Sequence, residues 1–388
     1  MFAAAALYFV RLLVSATHQF SELDYSQYYV YALAMRRGLN PYSTDLTALA
    51  GKLHLALQWK QATYTPTFIL CFEPLTLFSP RAGFWIWMST NIGLLFLTLF
   101  LLLKDEFDMR SGAFLLAMAI LYAPVASHLI LSQTQILILF LLVLAMHWLS
   151  EEKELAAGGA LALAVLLRAF PLILTGYLVV CRKWRVLFYM GLGVVAGLGI
   201  TFALLGVARS LAFFRLIVPL SEQLNRTRNA SLAAFIYHLF WLAGAISPQL
   251  ELLRYGVVLI AYIAIIALTV HATAKNNAEI GKADRAFSLW VVLMLLITPT
   301  AWFHYEVLLL LPFALLATAA NRAEASFRAT WLGLLGFGLT NISERLSNHM
   351  SGVVAYYLMT TMAVWVILAY LSSYFLLTDE CQHSDSYM

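Results

Sequence analysis

The sequence predicts an all-α, polytopic membrane protein, and three observations carry that expectation. Of the 388 residues, 62% are hydrophobic and 11% charged, against roughly 45–50% and about 25% in soluble domains. The apolar stretches are continuous, as in IWMSTNIGLLFLTLFLLL at 86–103, whereas barrel strands would alternate apolar and polar positions. Only helices and closed barrels satisfy every backbone N–H and C=O in hydrocarbon, so continuous runs near the 20-residue spanning length mean helices.

Taken in order, the runs fall near 2–18, 82–103, 112–130, 133–149, 155–169, 170–181, 185–206, 253–274, 286–299, 303–320, 327–343 and 351–377. That predicts about 12 transmembrane helices. The first run follows the initiator Met without a small-residue cleavage site, so it is expected to be a retained helix. Basic residues set the orientation: Lys104 with Arg110, Arg182 with Lys183 and Arg185, Lys275 with Lys282 and Arg285, and Arg322 with Arg328. With this span set all four groups fall on one side, the cytoplasm by the positive-inside rule, together with both termini.

Two long polar connections then fall outside, residues 19–81 and 207–252. In the first, Tyr25, Tyr28, Tyr29, Ala32 and Leu33 recur at helical spacing, which predicts an amphipathic helix lying in the membrane interface. The segment 68–78 is too short to span, carries Glu73 and is broken by Pro74, which predicts a second interfacial helix. Residues 1–206 and 207–388 are the expected modules.

Several function classes drop out. Cys71, Cys181 and Cys381 lie in unrelated segments with no metal-like spacing. The net charge of +4 is spread over many loops, so no nucleic-acid partner is expected. No phosphate loop, nucleotide fingerprint, HExxH or nucleophile elbow is present. Glu22 with Asp24 is a minimal carboxylate pair without His, and no metal or other cofactor is expected.

Ionisable residues at membrane depth are costly and are functional candidates by default. Asp24 stands where the chain leaves the first run. With Gln27 three residues on it has the form of a helix capping box; the alternative is a buried carboxylate basic enough to take a hydroxyl proton. Arg168 interrupts an apolar run just before Pro171, either snorkelling to headgroups or clamping a phosphate in bidentate fashion. His304 and Glu306 follow ITPTAW at the outer end of a run, where a lone His is usually a packing residue. Gln133 and Gln135 in the turn SQTQ could satisfy exposed backbone alone. Arg226 and Arg228 in NRTRNAS are solvated charges or lipid-phosphate ligands. Proline-broken spans also describe a secondary transporter or flippase, but a carrier concentrates its ionisable residues at mid-bilayer. A membrane acyltransferase would need His128 or His147 as its buried catalytic group.

The segments GLNPYS after the Tyr-rich stretch, YTPTFILCFEPLTLF, SQTQILILFLLVLA, ALAVLLRAFPLIL with RKWR, NASLAAFIYHLF and ITPTAWFHYEVLLLLP occur in one order along the chain. That ordered set resembles glycosyltransferase family 87 of the GT-C superfamily, whose members use polyprenyl-phosphate sugars. The resemblance implies a GT-C fold with an amino-terminal catalytic half and a variable carboxy-terminal half. It implies an inverting, metal-independent sugar transfer, commonly of mannose, to a lipid or glycan acceptor on the outer face of the cytoplasmic membrane. It assigns catalysis to Asp24 and His304 and donor phosphate binding to Arg168, Arg226 and Arg228. Substrate contacts are implied for Tyr25, Tyr28, Gln133, Gln135, Asn229, Tyr305 and Glu306. The sequence departs from the family pattern at Arg168, where relatives commonly have Lys, and near Gln135, where they have Asn.

The basic-loop count generates a topological test. Single cysteines at Ser43 and Ser221, in a cysteine-free background, are expected both to react with an impermeant thiol reagent in intact cells. Labelling of only one would refute the span arrangement.

Overall fold

A computed structural model describes residues 2–103, 109–217, 229–244, 247–276, 283–322 and 327–349. The run at 351–377 and the residues Arg226 and Arg228 therefore lie outside the described residues. Among those described, no strand forms; an isolated antiparallel bridge pairs Asn229 with Trp302. The helices are α1 (Phe2–Gln19), α2 (Asp24–Arg36), α3 (Thr47–Lys52), α4 (Pro66–Phe72), α5 (Pro80–Leu103), α6 (Met109–Ile120), α7 (Ala123–Leu131), α8 (Gln135–Ser150), α9 (Glu154–Leu167), α10 (Leu174–Val180), α11 (Trp184–Leu205), α12 (Val207–Ile217), α13 (Leu232–Leu242), α14 (Glu251–Asn276), α15 (Ala283–Ile297), α16 (Leu310–Asn321) and α17 (Phe327–His349).

Among the described residues four helical segments are long and apolar enough to cross a membrane: Pro80–Leu103, Trp184–Leu205, Glu251–Ala274 and Phe303–Asn321. The segments Gly112–Ile120 and Ala123–Leu131, in α6 and α7, pass the same length and composition test only when taken together, and they bend by 56° at the break between them, as a broken span or a re-entrant loop does. The sequence predicted one straight run there. Tyr122 is extended (φ −69°, ψ 116°) and Pro124 sits in the first turn of α7, where its missing N–H and fixed φ start a helix but cannot continue one. The runs at 133–149, 155–169 and 170–181 form shorter helices. The chain is a multi-pass, all-helical membrane protein.

It divides into two compact units, one of Met1–Leu101, Arg110–Leu172 and Arg185–Pro219, the other of Leu102–Met109, Ile173–Trp184 and Leu220–Met388. In the first unit α2 corrects the interfacial expectation, because every residue from Asp24 to Met35 is buried. Its four tyrosines fan over nearly half of the circumference, and the following chain wraps them: Tyr25, Tyr29 and Tyr31 donate to the carbonyls of Pro80, Phe78 and Trp59 at 2.7, 2.7 and 2.8 Å. A helix buried on all sides is a core helix even though it carries Asp24, Ser26 and Gln27, and each phenol finds the acceptor that burial demands. It ends in a Schellman motif: Gly38 takes φ +79°, its N–H reaches Met35 O and Leu39 N–H reaches Ala34 O at 2.9 and 3.0 Å. The predicted break at 73–77 is present, as a 3-10 turn after α4.

α9 and α11 meet through small residues. A Cβ on Gly158 would lie 2.7 Å from Tyr189 Cβ and 2.9 Å from both Met190 N and Val186 O, and a Cβ on Gly193 would lie 2.7 Å from Ala162 Cβ. Small residues let membrane helices approach backbone to backbone, where dispersion replaces the absent hydrophobic drive. In the second unit α15 is buried from Ala286 to Leu296. There the Trp290 indole donates to Thr273 Oγ1 at 2.8 Å and its ring lies against Gly176.

Because backbone atoms flank Gly158 and cannot yield, Gly158→Leu is expected to cost about 1–3 kcal/mol through overpacking. In detergent this should appear as a drop of several degrees in the thermal unfolding midpoint. Gly159→Ala, whose new methyl meets nothing within 4 Å, should leave the midpoint equal or slightly higher.

Candidate active site around Asp24

Asp24 caps nothing. The N-cap of α2 is Leu23, in extended conformation, and no side chain accepts from the first N–H groups. Ser26 N–H bonds back to Leu23 O at 3.0 Å. The capping-box pattern is therefore overruled: Gln27 turns its amide to the carboxylate itself, Nε2 donating to Asp24 Oδ1 at 2.8 Å. Asp24 Oδ2 accepts from Gln133 Nε2. Asp24 is 8% exposed, a carboxylate nearly out of water and held by two neutral amides.

Gln133 reaches it from a turn of three residues between α7 and α8. Ser132 there takes the left-handed conformation, φ 55°, which costs a non-glycine residue roughly 1 kcal/mol. The turn is over-determined. Gln133 N–H bonds to His128 O at 3.2 Å, Ile136 N–H donates to His128 Nε2 at 3.0 Å, and the Trp87 indole donates to Ser132 O at 2.8 Å. His128, a candidate only under the acyltransferase reading, thus shapes the turn that aims Gln133.

Arg168 arrives from the end of α9, where its extended backbone stops the helix. Thr65 receives that end: its hydroxyl bonds to Leu166 O and Leu167 O at 2.8 and 3.0 Å, and accepts from Phe68 N–H at 3.3 Å to cap α4. The half-buried guanidinium donates from Nε to Thr134 Oγ1 at 3.0 Å and from Nη2 to Gln133 Oε1 at 3.4 Å. It also stacks over the Tyr64 ring at 4.7 Å. A base and a permanent cation are thereby one amide apart.

The other anticipated residues divide. Tyr28 donates to Gln133 Oε1 at 2.7 Å and packs edge-on to Tyr64 at 4.7 Å, so it positions Gln133. Tyr25 sits instead in a cluster with Phe20, Phe72 and Phe84, its hydroxyl on Pro80 O. Gln135 Oε1 accepts Thr134 N–H at 3.1 Å, a backbone role. In the second unit Asn229 staples a loop: Nδ2 donates to Pro299 O at 2.9 Å and Oδ1 accepts from Ser231 N and Ala301 N at 3.1 and 3.0 Å. His304, Tyr305 and Glu306 are buried there in the 3-10 turn Phe303–Leu309. Sequence reasoning missed Gln27, Tyr31, Tyr64 and Thr134. Gln27 was visible as the i+3 amide, and Tyr64 as the head of YTPT. Among the described residues no group of three or more His, Cys, Asp or Glu could hold a metal ion.

Burial drives the Asp24 carboxyl above its ordinary range, while the Gln133 hydrogen bond, the Arg168 charge and the Gln27 and Tyr64 hydrogen bonds pull it down without cancelling the rise. The site can thus hold a carboxylate that is more basic than in water, beside a cation suited to an anionic leaving group.

The family model that matches the chain is that of glycosyltransferase family 87, over residues 62–299. No curated protein matches it.

A carboxyl raised on folding contributes stability below its unfolded pKa, and that contribution is lost as pH rises through the folded value. Asp24→Asn removes the charge that burial penalises and caps no helix. The variant is expected to unfold in detergent at or above the wild-type temperature at neutral pH. The margin should narrow as pH falls toward about 4, the ordinary carboxylate range.

Proposed function

The chain belongs to glycosyltransferase family 87, and from that premise we propose that it is an inverting, polyprenyl-phosphate-sugar-dependent hexosyltransferase with Asp24 as general base. The observation that carries the reading is the Asp24–Gln133–Arg168 cluster. Asp24 takes the proton of an acceptor hydroxyl while that oxygen attacks the anomeric carbon. The bond from that carbon to phosphate breaks on the opposite face, and the polyprenyl phosphate leaves with the electron pair. Arg168, charged at every working pH, neutralises the departing oxygens. Burial supports the base assignment, because a carboxyl raised toward the working pH is the better proton acceptor.

The fold of this reading is of the GT-C type with about 12 spans, the sugar is mannose and the acceptor is a lipid or glycan. It acts on the outer face of the cytoplasmic membrane; the basic residues support that side, because with about 12 spans all four groups fall on the other. A donor carrying its activated phosphate on a lipid suits that compartment, which holds no nucleotide sugars. His304 is included as a second catalytic group, and Arg226 and Arg228 as further phosphate ligands.

The test is transfer of labelled sugar from a polyprenyl-phosphate donor by purified protein in nanodiscs. Asp24→Asn is expected to fold, insert and bind donor, and to lose about two to four orders of magnitude in rate, the usual loss of general-base catalysis. In the same assay Arg168→Gln should weaken donor binding, and Arg168→Lys should recover part of it, because the charge survives while the fork does not. Near-normal transfer by Asp24→Asn would exclude the base.

A further inference from the structure

Resting on Asp24 as the base, we infer that Gln27 is a positioning residue whose amide turns over when Asp24 takes up its proton, and that Oδ1 is the oxygen that receives it. The two amides on the carboxylate look equivalent but differ in what stands behind them. Side-chain amide oxygen and nitrogen are told apart by their partners, and the partners here decide differently.

Behind Gln133 stand Arg168 Nη2 at 3.4 Å and the Tyr28 hydroxyl at 2.7 Å, both on Oε1. A guanidinium has donors only. Turning this amide would set N–H against N–H, so Gln133 keeps its Nε2 on Asp24 Oδ2. That oxygen faces a donor in every state and remains an acceptor.

Behind Gln27 stands Tyr31, whose hydroxyl lies 3.2 Å from Gln27 Oε1 and 2.8 Å from Trp59 O. A hydroxyl has one hydrogen, and a carbonyl oxygen can only accept. The shorter bond takes the hydrogen. The Tyr31 oxygen therefore offers lone pairs toward Gln27, a poor match for Oε1 and a good one for Nε2. While Asp24 is ionised, the charge-assisted bond from Nε2 to Oδ1 outweighs that mismatch. Once Oδ1 carries a proton, the turned amide accepts Oδ1–H on Oε1 and donates from Nε2 to Tyr31, and the whole chain to Trp59 O is matched. Gln27 is fully buried, so an unmatched amide there is costly, and the turn exchanges groups of similar size.

The titratable and charged groups that face Asp24 are Arg168, Tyr64 and Tyr31, with Tyr28 reaching it through Gln133. In transfer, the acceptor O–H hydrogen goes to Oδ1 as the oxygen bonds to the anomeric carbon, and the phosphate keeps the electron pair of the broken bond. After product leaves, Oδ1–H passes to water and the amide turns back.

The experiment is an infrared pH titration of the full-length protein in nanodiscs without substrate. The protonated-carboxyl band of Asp24 is isolated by subtracting the Asp24→Asn spectrum. Tyr31→Phe removes the oxygen that receives the turned amide, so it selectively destabilises the protonated form. Its midpoint is expected to fall by roughly half a unit to one unit, the size of one neutral hydrogen bond. Gln27→Met takes a charge-assisted bond from the ionised form and a weaker neutral one from the protonated form, so its midpoint is expected to rise by only about one unit. A static amide, with Tyr31 donating to it, gives Tyr31→Phe an unchanged or raised midpoint, and either result overturns the inference. In Gln27→Met a rise of about two units, the whole charge-assisted bond with nothing lost from the protonated form, is the mark of a static amide and overturns it too, so each variant decides even if the other does not fold. The readout is protonation, not transfer: should Asp24→Asn keep its transfer rate, the base assignment falls while the titration still decides what the amide does.

Discussion

A carboxylate taken out of water must be met by donors or it will not stay ionised, and the first unit is organised by that requirement at Asp24. The donors come from far apart in the chain: Gln27 from the same helix, Gln133 from the α7–α8 turn, and the balancing charge of Arg168 from the end of α9. None of them can serve unless three stretches of backbone are fixed against one another. The demand of one buried group is thereby passed to the packing of several helices.

Each stretch is fixed by a different device, chosen by what its sequence offers. α9 can bring Arg168 close because Gly158, Ala162 and Gly193 remove the side chains that would hold α11 away. Its last carbonyls, which a helix end leaves without partners, are taken by Thr65, the same residue that starts α4. The turn bearing Gln133 carries a strained Ser132 and is held by a histidine side chain, a tryptophan indole and backbone bonds. Strain of this kind persists where its surroundings over-determine it, and such places cluster at functional sites.

Hydropathy alone located the long helices, because an apolar run in lipid has no other backbone solution, but it left α3, α12 and α13 inside stretches read as polar connections. It could not show that the α6–α7 run bends, although Pro124 was the visible cause. The aromatic α2 was harder. Tyr25, Tyr28 and Tyr29 have the spacing of an interfacial face, yet the helix is buried all round because residues 56–80 supply carbonyls for its phenols. Nothing local encodes that. Asp24 and Arg168 were legible as costly charges in apolar surroundings, whereas the use of Gln27 was hidden by a genuine ambiguity: an acid with an amide three residues on fits a capping box and an amide-bound carboxylate equally well. Backbone dihedrals at Leu23 resolve it, and those are not in the sequence.

The family match begins at residue 62 and so takes in Tyr64, Gln133, Thr134 and Arg168 but not Asp24 or Gln27. The fold closes that gap by laying α2 against the matched segment, so the carboxylate meets its partners through structure and not through the matched stretch itself. The arginine at position 168 gains meaning from the same geometry. Its planar fork is held along one edge by Thr134 and Gln133 while its face rests on the Tyr64 ring. A lysine ammonium is a point charge with rotating donors; it could supply the charge but could not hold both partners with one rigid fork. Gln133 is one of those partners, its Oε1 accepting from Arg168 Nη2. An acceptor-only demand from a guanidinium keeps its oxygen turned away from Asp24, and a lysine free to move would relax it. Arginine at position 168 is therefore tied to how rigidly this site orients its carboxylate.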